Sequence, residues 1–127
     1  MEINKVLIID DERMLSSTTK LLFQKQGIEA IVAVNGQQGI EMAGLDKPDM
    51  ILLDIMMPGM NGWKVLHLLK ENSDTRDIPV VIFTATDFVV SDLTLRQRGA
   101  VAVLRKPFHL KELLSVVEIV RQGGRNE

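Results

Sequence analysis

The chain has 127 residues, 46% hydrophobic and 25% charged, the size and make-up of one globular domain. Its 15 basic and 17 acidic residues leave a formal net charge of −2, which gives no support to a nucleic-acid or membrane-surface footprint. The absence of cysteine excludes disulfides, thiolate metal sites and thiol nucleophiles, and it suits a reducing cytoplasm, the expected location.

At the N-terminus, MEINKVLIIDDE carries the apolar run VLII at 6–9, far too short for a signal segment or a membrane span. A helical pattern follows, with Met14, Thr18, Leu21 and Leu22 on one face and Gly27 as its stop. AIVAV at 30–34 is the second run, followed by a weaker helix candidate over 37–45. MILL at 50–53 leads into Asp54 and the break Met56-Met57-Pro58-Gly59, and a helix is expected over 63–72. PVVIF at 79–83 precedes a helix candidate over 88–98 that Gly99 closes. AVAVL at 100–104 is the fifth run, and the last helix shows Leu110, Leu113, Leu114 and Val117 on one face. The runs are continuous rather than alternating and rich in Val and Ile, as in strands buried on both faces of a parallel sheet. Strand and helix in alternation imply right-handed βαβ crossovers. The expected fold is therefore α/β and flavodoxin-like, a doubly wound five-stranded parallel sheet of order 2-1-3-4-5 flanked by five helices. Residues 1–122 form the expected domain, with 123–127 a frayed tail or the start of a linker.

Polar residues gather where these runs end. Asp10 and Asp11 follow the first, Asp54 the third, Thr84 the fourth and Lys106 the fifth. In an open α/β sheet the carboxyl ends of the strands share one edge, and ligands bind in the crevice outside it. Each residue alone has an ordinary explanation. Asp10 and Asp11 could cap a helix, Asp54 could form a turn, Thr84 could be a strand threonine and Lys106 a surface lysine. Those explanations are independent, and their coincidence at one edge favours a site.

Three carboxylates together repel one another and call for a cation. Oxygen-only ligands point to a hard ion, and the expected one is Mg²⁺. Asp54 is then available as a nucleophile towards a phosphoryl group, giving an aspartyl phosphate. Lys106 supplies a cation for a phosphate oxygen and Thr84 a hydroxyl donor. Phosphorylation adds about 1.5 to 2 negative charges, so Thr84, Lys106 and the 85–88 segment are expected to shift, biasing the surface around 84–108.

The motifs IDDE with Asp10-Asp11, LLDIMMPGMNG with Asp54, VVIFTA with Thr84 and RKPF with Lys106-Pro107 resemble the receiver domain of bacterial two-component response regulators, the CheY-like fold. The resemblance runs from Lys5 to about Val120, with the motifs in the family's order and spacing. It implies that a histidine kinase or histidine phosphotransfer protein donates the phosphoryl group and that Asp54 accepts it. It also implies that Asp11, Asp54 and the Met56 carbonyl bind Mg²⁺ directly, with Asp10 acting largely through water, and that the Lys106–Pro107 peptide is cis. The domain would signal rather than turn over substrate, its own phosphorylation and dephosphorylation apart. Its output would pass to a downstream protein target or effector domain. A phosphorylation-dependent dimer through the 88–122 face is compatible with the sequence, although no distinctive feature specifies it.

The sequence departs from the family pattern in two respects. Val103 stands where receivers commonly carry Tyr or Phe, and a small, stiff side chain cannot make the same inward rotamer swing. Met56 and Thr86 occupy the positions that tune phosphate lifetime, and Met56 has no acid or amide to orient water, so slow autodephosphorylation is expected. His67 and His109 are read as surface or capping residues, and Trp63 as a packing residue at the start of the third helix. The rival functions are an aspartyl phosphatase, a flavin-binding protein and a receiver-like interaction module that has lost phosphorylation. The first lacks its D-x-D motif after strand one, and the second lacks a Ser/Thr/Gly-rich phosphate loop there. The intact Asp54, Lys106 and acid pair weigh against the third.

Overall fold

Alternate residues of the apolar runs go to opposite faces of a single sheet, save at a register shift in the fifth, where Val101 and Ala102 share a face. β1 (Lys5–Ile9), β2 (Glu29–Ala33), β3 (Met50–Asp54), β4 (Val80–Ala85) and β5 (Ala100–Lys106) pair in parallel in the order β2-β1-β3-β4-β5. The structure, a computed structural model, describes residues 1–59, 61–85 and 91–123. Leu7, Ile9, Ile51, Leu53, Val80 and Ile82 face a core completed by α2 (Gly36–Asp46), α3 (Gly62–Glu71) and α4 (Asp92–Arg98). Val6, Ile8, Met50, Leu52, Val81 and Phe83 face the other core, covered by α1 (Arg13–Lys25) and α5 (Leu110–Arg121). Two buried faces explain why the strands read as unbroken apolar runs. Each such side chain contributes about 1.5 to 3 kcal/mol when fully buried.

Three of the helices, α2, α3 and α4, start where a side chain satisfies a free N–H group. Asn35, Asn61 and Ser91 accept from the backbone N–H of Gln38 (2.8 Å), Trp63 (2.8 Å) and Thr94 (3.1 Å), each cap being worth about 1 kcal/mol. Gly99, at φ +96°, ends α4 in a left-handed turn. α4 begins at Asp92, and positions 88–90 of the expected helix lie outside the described residues. Among the described residues, no helix is long and apolar enough to cross a membrane.

Two helix faces differ from the sequence expectation. Met14 is 88% exposed, and Thr18 and Leu21 are also exposed, while α1 buries Ser16, Thr19 and Phe23. The small Ser16 and Thr19 let the helix backbone approach the sheet, with Phe23 filling the space beyond. Thr19 can be buried because its hydroxyl donates to the Leu15 carbonyl at 2.8 Å. α5 buries Leu113 and Val117 as expected, but Val116 and Val120 complete the stripe, and Leu110 and Leu114 remain partly exposed.

Candidate functional site

Asp10, Asp54 and Lys106 fall in step with the strand residues that face α1 and α5, so their side chains leave the sheet on one side. Asp10 continues the β1 ladder by donating its N–H to the Ala33 carbonyl at 3.0 Å, and Asp54 is the last residue of β3. The two carboxylates are held alike. Asp10 Oδ1 accepts from the N–H of Glu12 at 3.0 Å, and Asp54 Oδ1 accepts from the N–H of Met56 at 2.9 Å. Each Asp thus forms the local turn its sequence position suggests, and each keeps Oδ2 for another partner.

That partner is Lys106. Its Nζ donates to Asp10 Oδ2 at 2.9 Å, Glu12 Oε1 at 3.2 Å and Asp54 Oδ2 at 3.3 Å. To reach β3 and β1 from β5, the lysine passes over β4, where its ammonium lies 4.5 Å from the Phe83 ring centroid. Phe108 braces that ring edge-on at 5.7 Å. Lys106 is only 7% exposed, Asp54 2% and Asp10 0%, so this is no surface ion pair. The following Lys106–Pro107 peptide is cis.

Burial sets the electrostatics. Loss of solvent pushes the Asp10 carboxyl up to about 6, against the Lys106 hydrogen bond and charge, which favour ionisation. Burial also disfavours the Lys106 ammonium, but the Asp10 hydrogen bond and the charges of Asp10 and Asp54 outweigh it and hold the lysine above its usual value. One cation serves three acids, which leaves the group short of positive charge.

Among the described residues, oxygens of Asp10, Glu12 and Asp54 come within 4.8 Å of one another, an all-carboxylate set that fits a hard divalent ion. Asp11 is exposed and stands outside that group, because neighbouring residues of an extended segment point in different directions. Met56 follows and is 67% exposed. Thr84 is 1% exposed, and its hydroxyl has no hydrogen-bond partner among the described residues. By strand alternation it belongs to the α2–α3–α4 side of the sheet, opposite Lys106. Val103 is half-buried, pairs in register with Ile82 and packs on that same side. Thr86 and positions 86–88 of the expected mobile segment lie outside the described residues.

Sequence reasoning missed two members of this group. Glu12 is the N-cap residue of α1 but makes no side-chain cap; its carboxylate goes to Lys106 instead. A glutamate at a position that prefers Asp, Ser or Asn was the available signal. Phe83 read simply as strand core. His109 does sit at the N-cap of α5, where its N–H donates to Glu112 Oε1 at 3.0 Å, and His67 Nε2 lies 3.6 Å from Glu71 Oε1.

Residues 6–118 match the family described as Response regulator receiver domain. Protein PilH of Pseudomonas aeruginosa is 33% identical over 119 residues, covering 94% of this chain and 98% of PilH. The transcriptional regulatory protein CpxR of Escherichia coli is 35% identical over 117 residues, 92% of this chain but only 49% of CpxR. Among solved structures, the chemotaxis protein CheY4 of Vibrio cholerae superposes with a TM-score of 0.84 at 25% identity, covering 94% of this chain and 99% of CheY4. The receiver domain of Francisella response regulator 1452 gives 0.82 at 29% identity, covering 96% and 99% of the two chains.

Proposed function

The chain belongs to the response regulator receiver-domain family, and from that premise we propose that it accepts a phosphoryl group on Asp54 from a histidine kinase or a histidine phosphotransfer protein. The observation that carries this reading is the shared lysine: Asp54 Oδ2 faces a buried ammonium, while Oδ1 is pinned by the Met56 N–H. A carboxylate held at both oxygens is oriented for attack, and the ammonium beside it suits an incoming phosphate oxygen.

Asp11, Asp54 and the Met56 carbonyl are the groups that would hold Mg²⁺ directly, with Asp10 acting largely through water; of these, Asp10 and Asp54 lie in the carboxylate cluster that Glu12 completes. Mg²⁺ supplies charge neutralisation for the phosphoryl oxygens. Within the chain, Asp54 contributes the attacking oxygen and Lys106 leaves Asp10 and Glu12 for the new phosphoryl oxygens. Thr84, whose hydroxyl lacks a partner among the described residues, donates to another of those oxygens. The segment following Thr84 shifts with it, and the surface around 84–108 carries the response to a protein partner. The domain performs no other turnover, and a cytoplasmic setting fits a kinase donor.

Incubation with acetyl phosphate and Mg²⁺ tests the reading by intact mass. A gain of one phosphoryl group by the wild type and none by Asp54→Asn is expected. Equal gain in both would place the acceptor elsewhere, and steady turnover of small phosphoesters would indicate an enzyme.

A further inference from the structure

The single tryptophan stands between the segment that follows Asp54 and helix α4. On one side, Trp63 closes a cavity of about 610 Å³ whose other walls are residues 55–59 and Asn61. On the other, the Arg98 guanidinium lies 4.6 Å from the Trp63 ring centroid. A groove of about 330 Å³ runs from this pair along α3 to His67, Lys70 and Glu71.

Both ends of the connection are close contacts. Gly62 donates its N–H to the Ile55 carbonyl at 3.2 Å, and a Cβ at Gly62 would lie 2.2 Å from the Ile55 Cα. The start of α3 therefore rests on the residue after Asp54. At the far end, a Cβ at Gly99 would lie 2.9 Å from Lys70 Cγ, so the end of α4 rests on the Lys70 stem. Lys70 is itself fixed, its ammonium donating to the carbonyls of Arg76 (3.0 Å) and Ile78 (2.8 Å). With both backbones seated on α3, and Ile55, Met57 and Leu95 sharing one core beneath it, the Trp63–Arg98 contact is a surface side-chain link between the acceptor segment and α4.

We propose that Trp63 and Arg98 couple the Asp54 segment to α4 through α3, giving a chain with Val103 a route to α4 that needs no aromatic side chain on β5. The inference rests on the acceptor reading of Asp54. A displacement of residues 55–59 moves the wall against which the indole packs. Arg98 follows the indole, and the short α4 follows Arg98.

Amide hydrogen exchange of residues 92–98 tests this. In the unphosphorylated protein, Arg98→Met should speed exchange there by about two- to fivefold, the yield of an exposed cation–π contact. Phosphorylation with acetyl phosphate and Mg²⁺, verified by intact mass on each sample, should change exchange over 92–98 in the wild type. That response should be lost in Arg98→Met and in Trp63→Leu and kept in Trp63→Phe. Arg98 is exposed, so its variant carries the test if Trp63→Leu does not fold. Unchanged exchange in unphosphorylated Arg98→Met overturns the proposal, as does an equal phosphorylation response in all variants. Absence of a phosphoryl group on the wild type by mass overturns the acceptor reading and the coupling with it, and the mass tells the two failures apart.

Discussion

Lys106 Nζ lies 3.3 Å from Oδ2 of Asp54, and 52 residues of chain separate the two. The contact is buried, crosses the intervening strand over the face of Phe83, and is shared with Asp10 and Glu12. It makes the acid cluster tolerable in the folded protein and supplies the group that a phosphate oxygen would meet.

Removing that ammonium leaves two buried carboxylates without a cation. Lys106→Met should therefore cost about 3 kcal/mol of stability, the usual cost of breaking a buried ion pair from one side. Urea unfolding with and without Mg²⁺ measures it. The loss should be largest without the ion and partly recovered when Mg²⁺ is added. No loss without Mg²⁺ would contradict the role assigned to Lys106.

Acidity should act through Asp10. Its folded pKa of about 6 lies above the ordinary 3.8, so the folded state binds the proton more tightly than the unfolded chain. As pH falls through about 6 towards 3.8, this group's contribution to stability rises, and above that window it is a burden. Lys106 behaves in the same sense at higher pH: its contribution is complete below the ordinary 10.5 and is lost as pH rises through its higher folded value. Denaturation midpoints should therefore show a component that increases from near neutral to mildly acid pH and is missing in Asp10→Asn. Parallel profiles for the two proteins would refute the assignment.

The Thr84 hydroxyl, without a partner among the described residues, should have opposite effects on stability and response. Thr84→Val keeps the shape and removes the orphan, so the unphosphorylated protein should gain up to about 1 kcal/mol while phosphoryl transfer slows. Among the described residues, Ser16 carries the other buried unpartnered hydroxyl, in the α1 interface and outside the acid group, and Ser16→Ala should raise stability without altering transfer. Equal effects of both substitutions on transfer would remove Thr84 from the site.

Met56 presents a thioether to solvent beside Asp54, with no oxygen or nitrogen in the side chain to orient a hydrolytic water. The phosphorylated protein should persist for minutes or longer with Mg²⁺ present, and Met56→Asn should shorten that time. A wild-type half-life of seconds would sink this expectation.

The sheet was legible because strands buried on both faces carry their signal in every residue: VLII, MILL and PVVIF need no knowledge of what covers them. The face of α1 was not, since Ser16 and Thr19 are buried for their small size, and no periodicity of apolar residues records that. Asp10, Asp54, Thr84 and Lys106 were legible as strand-end residues of one edge. Which acids meet the lysine was not. That depends on strand phase, which turns Asp10 inward and leaves Asp11 outside, and on the reach of Glu12 from the next helix. Phe83 under the lysine and Arg98 on Trp63 are tertiary contacts that no local pattern marks.

The most direct measurement is to locate the phosphoryl group itself. After incubation with acetyl phosphate and Mg²⁺, borohydride reduces an aspartyl phosphate to homoserine, and peptide mass spectrometry finds the altered residue. Conversion at position 54 alone is the expected result. Conversion at another carboxylate of the cluster, or none in protein that has gained a phosphoryl group, would contradict Asp54 as the acceptor.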